Sequence, residues 1–336
     1  MKERLSNFEL LRIISMLLVV LLHANYLVLG VVHKEDILLN PYGAIFRMFA
    51  DQLCIVAVNL FVMISGWFGI NPTIKGAAAL LFQVLFYCSA IVISFLLLGI
   101  DVNIADVAKM FYVGSSYWFF TEYFILYLFS PVLNKFILNS SKKEAISVLL
   151  SFFFIEFLWG WFYNCSNFSG GYSAISFFGV YMLARYVSSN RKFLAYSYVK
   201  CFCIAVIFTI VNFPFLAIIG ELFLDNQIGK SQYSSPFVIL TSLFILLGFS
   251  KLQINNRGIN WIASSVFSIY LIHCNILVFP LFLNMMRNVY DNLGYIYILF
   301  AIVFAITSGF ICVLIDKIRI YFWNKIMLFI CVCGGG

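Results

Sequence analysis

The chain has 336 residues, of which 63% are hydrophobic and only 10% charged, against roughly 45 to 50% apolar and about 25% charged residues in a soluble domain. With a mean hydropathy of +1.01, a soluble enzyme is excluded, and the length suffices for roughly ten membrane helices of about 20 residues joined by short loops. The net charge of +7 implies no nucleic-acid partner, because in a lipid bilayer the side on which charges sit matters more than their sum.

Apolar runs lie at residues 9–31, 44–70, 77–99, 111–134, 145–163, 172–187, 197–219, 234–250, 259–280 and 293–315, each of spanning length or nearly so. The predicted fold class is all-α, a polytopic membrane helix bundle of about ten transmembrane helices in one domain over residues 1–336. The first run is too long for the apolar core of a signal peptide and no small-residue cleavage site follows it, so Met1 to Arg4 reads as a retained basic N-terminus. With that end in the cytoplasm, alternating the loops puts 16 of the 21 Lys and Arg inside, and leaves Lys34, Arg47, Lys109, Lys230 and Arg287 outside or in outer helix halves. That split obeys the positive-inside rule and places both termini in the cytoplasm. Residues 315–336 form a cytoplasmic or interfacial tail in this reading, with Ile318 to Val332 as an amphipathic helix. The nine cysteines lie mostly inside apolar runs, show no CxxC and are not paired with His at ligand spacing. They read as small buried hydrophobes, and no metal is expected.

Ionisable groups inside spans are costly and mark functional candidates by default. In chain order these are Arg12 and His23, Arg47 and Asp51, Glu122, Glu156, and His273. Arg12 and His23 are 11 residues apart, three helical turns plus about 20°, so both project from one face about 16 Å apart in depth. An anionic cytosolic donor held at Arg12, whose guanidinium suits phosphate geometry, would extend a long arm toward His23. Coenzyme A has that shape. Counting from Ile259 to His273 and from Lys135 to Glu122 places both groups about 20 Å deep, in the layer of His23. A histidine is the natural general base for a hydroxyl, and a buried carboxylate can fix its tautomer. Shared depth alone does not establish contact.

Arg47 and Asp51, at i and i+4 with opposite sign, are either a self-neutralising pair or part of a substrate site. Glu156 has no evident partner, and His33, in an outer loop beside Lys34 and Glu35, reads as solvated. Tyr117, Trp118, Tyr123 and Tyr127 are denser than an interfacial belt requires; they either stack a sugar acceptor or pack helices. Ser65-Gly66 is a close-packing or helix-breaking signal.

Asn7-Phe8-Glu9-Leu10-Leu11-Arg12, followed after ten intervening residues by His23, resembles the Arg-x10-His signature of the acyltransferase-3 family of bacterial integral-membrane O-acyltransferases. Three more stretches agree in order: Asn59 to Phe68 with its Ser65-Gly66, Tyr117-Trp118-Phe119 running to Leu126 through Asn134, and Ser268-Ile269-Tyr270-Leu271-Ile272-His273. The resemblance covers nearly the whole chain and implies a multi-pass protein of the bacterial plasma (inner) membrane. It implies transfer of an acyl group, usually acetyl from acetyl-CoA as co-substrate, to a hydroxyl of a cell-surface polysaccharide or lipid-linked glycan. It assigns His23 as catalytic base or transient acyl carrier, Arg12 as a donor-binding residue and His273 as a further catalytic residue. Two departures stand out: the loop after the second run offers only Lys75 for the donor where many members are richer in Arg, and Trp67 stands where Tyr is common.

The rival class is a transporter or flippase for a glycan lipid, whose buried charges would line a path. Many transporters carry inverted repeats with interrupted spans in corresponding places, and none is evident here.

Overall fold

A computed structural model describes residues 4–112, 117–163, 165–190, 195–212 and 232–333, and among them every regular element is helical. Local signals set the helix ends. α1 (Ser6–Leu22) continues without a break into a π-helical turn at His23–Leu27. A short α2 (Lys34–Leu39) precedes α3 (Pro41–Cys54), which opens with Asn40 Oδ1 accepting from the Gly43 N–H at 3.1 Å and with proline at the first turn, where its missing N–H loses no helical bond. α4 (Val56–Phe68) follows across a break at Ile55. α5 (Ile74–Leu97) is capped by Thr73 and α6 (Ile104–Phe111) by Asn103. α7 (Trp118–Asn139) leads to α8 (Lys142–Ile155), which starts on a reciprocal cap between Ser141 and Glu144 and widens into a second π-turn, Glu156–Phe162. Then come α9 (Ala174–Ser189), α10 (Tyr198–Asn212), α11 (Pro236–Ser250), α12 (Arg257–Ala263), α13 (Phe267–His273), α14 (Phe279–Leu293) and α15 (Tyr297–Cys333).

Among the described residues, five stretches are long and apolar enough to cross a membrane: Ser6–Leu27, Pro41–Phe68, Ile74–Leu97, Lys142–Phe162 and Tyr297–Leu328. Two apolar runs depart from expectation. The ninth, expected as one helix over 259–280, is interrupted at residues 264–266 and 274–278. The tenth does not stop at 315, since α15 runs on through the expected tail to Cys333. The end of the seventh run, 213–219, lies outside the described residues, as do Lys230, Arg191 and Lys192.

The chain divides into two compact units, one of residues 1–71 and 122–260 and the other of residues 72–121 and 261–336. In the first, α4 packs against α1, α9 and α11. Gly66 settles the Ser65-Gly66 signal in favour of close packing: a Cβ there would run into the Tyr181 carbonyl and come within 3.1 Å of the Ala184 Cβ, both on α9. Ser65 Oγ donates to the Phe61 carbonyl at 3.0 Å and lies 3.0 Å from the Tyr123 hydroxyl. Just beyond α4, Tyr181 Oη accepts from the Ile70 N–H at 2.8 Å and donates to Asn134 Oδ1 at 2.9 Å, while Asn134 Nδ2 donates to the Ile70 carbonyl at 2.8 Å. The chain leaving α4 therefore meets partners on α7 and α9 at both the N–H and the carbonyl of one residue, Ile70. Gly66→Val is expected to destabilise the protein by about 1 to 3 kcal/mol, because the added methyls meet backbone that cannot rotate away. An unchanged melting midpoint in detergent would show that α4 and α9 separate freely.

In the second unit α15 packs along α5, α13 and α14. Near its middle lies Asp316, fully buried, which accepts from Tyr87 Oη at 2.8 Å and from Arg319 Nε at 2.6 Å and Nη2 at 3.1 Å. Beside them Lys317 Nζ donates to the Trp261 carbonyl at 2.7 Å and to Ser264 Oγ and Ser265 Oγ at 2.9 Å each, and lies 4.2 Å above the Trp261 ring.

Candidate functional site

His23 opens the π-turn of α1 and is half-buried. A π-turn inserts one residue into a helix, is rare, and is found mostly where function requires it. The helix between Arg12 and His23 is uninterrupted, so the two side chains keep one face and a separation of about 16 Å along the axis. Arg12 is part-exposed and donates through Nη1 to both carboxylate oxygens of Glu9, at 3.0 and 3.3 Å. Of the five N–H donors of a guanidinium, those on Nη2 and Nε are not used by Glu9. The cation is thus held one turn from its carboxylate with an edge turned away from it.

The widened turn is tied down two residues after His23. Asn25 Nδ2 donates to the Arg47 carbonyl at 2.9 Å and to Asp51 Oδ1 at 2.7 Å. Arg47 Nη2 donates to the carbonyls of Leu29 and Gly30, at 2.8 and 3.0 Å, where helix 1 has run out of internal donors. Arg47 and Asp51 hold the C-terminal end of α1 against α3, a tie that spacing within their own helix did not show, because the partners lie on another. Asn25, invisible to a search for ionisable groups, is the residue that joins them.

Glu122 Oε2 accepts from the Ala174 N–H at 2.6 Å. A carboxylate at a helix N-terminus satisfies an orphan donor and faces the positive end of the dipole, so Glu122 caps α9 through this oxygen. Glu156 is buried at the start of the second π-turn, and neither carboxylate oxygen has a hydrogen-bond partner among the described residues.

His273, in the second unit, is the last residue of α13 and is buried. Its Nδ1 lies 2.6 Å from the Ile269 carbonyl and its Nε2 lies 3.3 Å from Cys274 Sγ. A carbonyl only accepts, so Nδ1 carries the proton and Nε2 presents its lone pair to the thiol. The rings of Phe279 and Phe282 lie edge-on to the imidazole, with centroids 6.4 and 6.0 Å away. Tyr117 does not offer a face for stacking a sugar: it is wholly buried, donates through Oη to the Leu271 carbonyl at 2.9 Å and accepts from Asn275 Nδ2 at 2.8 Å. Tyr127 is likewise buried, whereas Trp118 keeps part of its ring exposed. Lys75 is exposed in the first turn of α5. Cysteines at 54, 88, 201 and 312 are buried as expected, but Cys203 is exposed and Cys165 and Cys274 are partly exposed, and Cys274 touches a histidine. The adjacency His273-Cys274 in the sequence was the signal that would have found it.

The family model of an acyltransferase domain, the acyltransferase-3 type, matches residues 5–317. No curated protein and no solved structure matches the chain.

Proposed function

Because the chain belongs to the acyltransferase-3 family and is an acyltransferase rich in membrane-length helices, we propose that it moves an acetyl group from cytosolic acetyl-CoA to a hydroxyl of a cell-surface polysaccharide or lipid-linked glycan at the plasma membrane of a bacterium. In this reading the chain crosses the bilayer about ten times with both termini in the cytoplasm, as the loop charges favour. The observation that carries the site is His23 at the head of a π-turn, on the face of Arg12 and three unbroken turns beyond it.

Arg12 binds the phosphates of the donor through the edge of its guanidinium that Glu9 does not occupy, and Lys75 is a second cation available to the donor. The long pantetheine arm matches the axial distance to His23. His23 removes the proton of the acceptor hydroxyl as it attacks the acyl carbonyl, because the neutral hydroxyl is a poor nucleophile. Asn25, Asp51 and Arg47 keep the widened turn in place while the imidazole changes charge. Trp118, half-buried, is the aromatic proposed to meet the sugar.

The test is transfer of label from [acetyl-14C]acetyl-CoA by the purified protein in lipid nanodiscs, with release of free acetate as a readout that needs no identified acceptor. Neither binding nor turnover by well-folded protein would move the assignment to a glycan-lipid transporter. Within the same assay, Arg12→Ala is expected to raise the KM for acetyl-CoA about 10- to 100-fold with a smaller change in kcat, the loss of one charge-assisted contact of roughly 1.5 to 3 kcal/mol. An unaltered KM would remove Arg12 from the donor site.

A further inference from the structure

We propose that Cys274 carries the acyl group as a thioester between donor and acceptor, with His273 as its base; this rests on the acyltransferase reading above. A nucleophile, a base within reach of it and a third group orienting the base is the arrangement by which thiols and hydroxyls are activated. All three are present in the six residues from Ile269 to Cys274. Cys274 Sγ is 3.3 Å from His273 Nε2, and the opposite ring nitrogen is fixed by the Ile269 carbonyl at 2.6 Å. That carbonyl decides the tautomer: the nitrogen facing sulfur is the unprotonated one, and the same carbonyl stabilises the imidazolium once the thiol proton has moved.

The thiol also sits where a nucleophile needs to be. It caps the broken end of α13, is partly exposed, and lies outside the body of any helix. Irregular backbone at membrane depth is tolerated only where it is buried in protein or lines a cavity. The break is not slack, because Asn275 Nδ2 donates to Tyr117 Oη at 2.8 Å, Asn275 Oδ1 accepts from the Leu277 N–H at 3.0 Å, and Tyr117 in turn donates to the Leu271 carbonyl. Four residues around the thiol, Tyr117, Leu271, Asn275 and Leu277, are held by side-chain bonds that the uninterrupted helix expected from the sequence would not need.

The chemistry balances without a redox partner. His273 Nε2 takes the thiol proton, Cys274 sulfur attacks the acetyl carbonyl of acetyl-CoA, the carbon–sulfur bond to coenzyme A breaks, and the departing thiolate takes the proton from Nε2. One thioester replaces another. The acceptor hydroxyl then attacks the Cys274 thioester, a new carbon–oxygen bond forms, Cys274 leaves as thiolate, and the hydroxyl proton, taken up by the base, returns to the sulfur.

The full-length protein in nanodiscs is incubated with [acetyl-14C]acetyl-CoA without acceptor, quenched in acid and digested. Expected is one acetyl group on the peptide containing Cys274, released by neutral hydroxylamine. Cys274→Ala is expected to lose that label and to transfer acetyl at least about 100-fold more slowly, and His273→Gln to slow labelling by a similar factor. Cys274→Ser, which preserves the contact to Nε2, is expected to trap an oxygen ester that resists neutral hydroxylamine. Coenzyme A release is followed in parallel. Release at the wild-type rate by Cys274→Ala, or turnover by the wild type with no label at Cys274, overturns the relay and leaves the acyltransferase reading intact. No release of coenzyme A by the wild-type protein overturns both.

Discussion

His23→Ala is expected to lower acetyl transfer by about 10²- to 10⁴-fold, the usual contribution of a positioned general base, while the protein stays inserted, monodisperse and close to its wild-type melting midpoint. The separation of the two effects follows from what holds the turn. The π-turn at His23–Leu27 is anchored through Asn25, whose amide bonds the Arg47 carbonyl and Asp51, and through Arg47 on the carbonyls of Leu29 and Gly30; none of these bonds uses the imidazole. His23→Gln is the sharper control, since glutamine keeps polarity and hydrogen bonding but cannot accept a proton near neutral pH. Both variants are measured by the initial rate of label transfer at saturating acetyl-CoA, beside thermal unfolding of the same preparation. Transfer within a few-fold of wild type in either one removes the base from His23.

The second large effect concerns stability. Asp316→Ala is expected to destabilise the protein by about 3 to 5 kcal/mol, the range found when one member of a buried ion pair is deleted and the other charge stays behind. Asp316 is wholly buried and Arg319 nearly so, and the carboxylate is the acceptor for Tyr87 as well. Deleting it therefore strands a guanidinium and a phenol together. The diagnostic comparison is the double variant Asp316→Leu with Arg319→Met, in which both charges go and apolar volume is kept. Replacing a buried pair by packed apolar groups is often neutral or better, so the double variant is expected to melt well above the single one. A single variant that melts with the wild type would mean that water reaches the pair.

Much of this architecture could be read from composition alone. Burial in lipid forces every spanning segment to satisfy its own backbone, so a long apolar run is already a helix, and most predicted runs coincide with helices to within a few residues. What hydropathy does not register is where hydrogen bonds leave the helical pattern. The run over 259–280 is apolar throughout, yet it breaks at Ser264-Ser265 and at Cys274-Asn275, where side chains supply backbone and inter-helix partners. After 315 the helix expected over Ile318 to Val332 joins the tenth run without a break: Asp316, Lys317 and Arg319 look like the start of an aqueous segment, but Asp316 and Arg319 at i and i+3 neutralise each other inside the protein. The shared face of Arg12 and His23 was legible because both lie on one continuous helix, whose geometry is known in advance. Asn25, Cys274 and the capping role of Glu122 depend on which helices become neighbours, and depth along separate helices carries no such information. Tyr117 illustrates the same limit, since an aromatic cluster reads alike whether its rings are bonded away or offered to a ligand.

The π-turn at His23 has a consequence for comparing this chain with others of its family. Widening a helix by one residue changes the alignment arithmetic: a relative whose first helix stays α-helical through this point would line up residue for residue from Ser6 to Leu22 and then need a one-residue gap before Gly30. Side chains after the gap would be rotated by about 100° if the gap were ignored. Placing that gap correctly decides whether a relative's polar residue is matched to Asn25 or to its neighbour on the lipid side, and so whether the tie to Asp51 is counted as kept or lost.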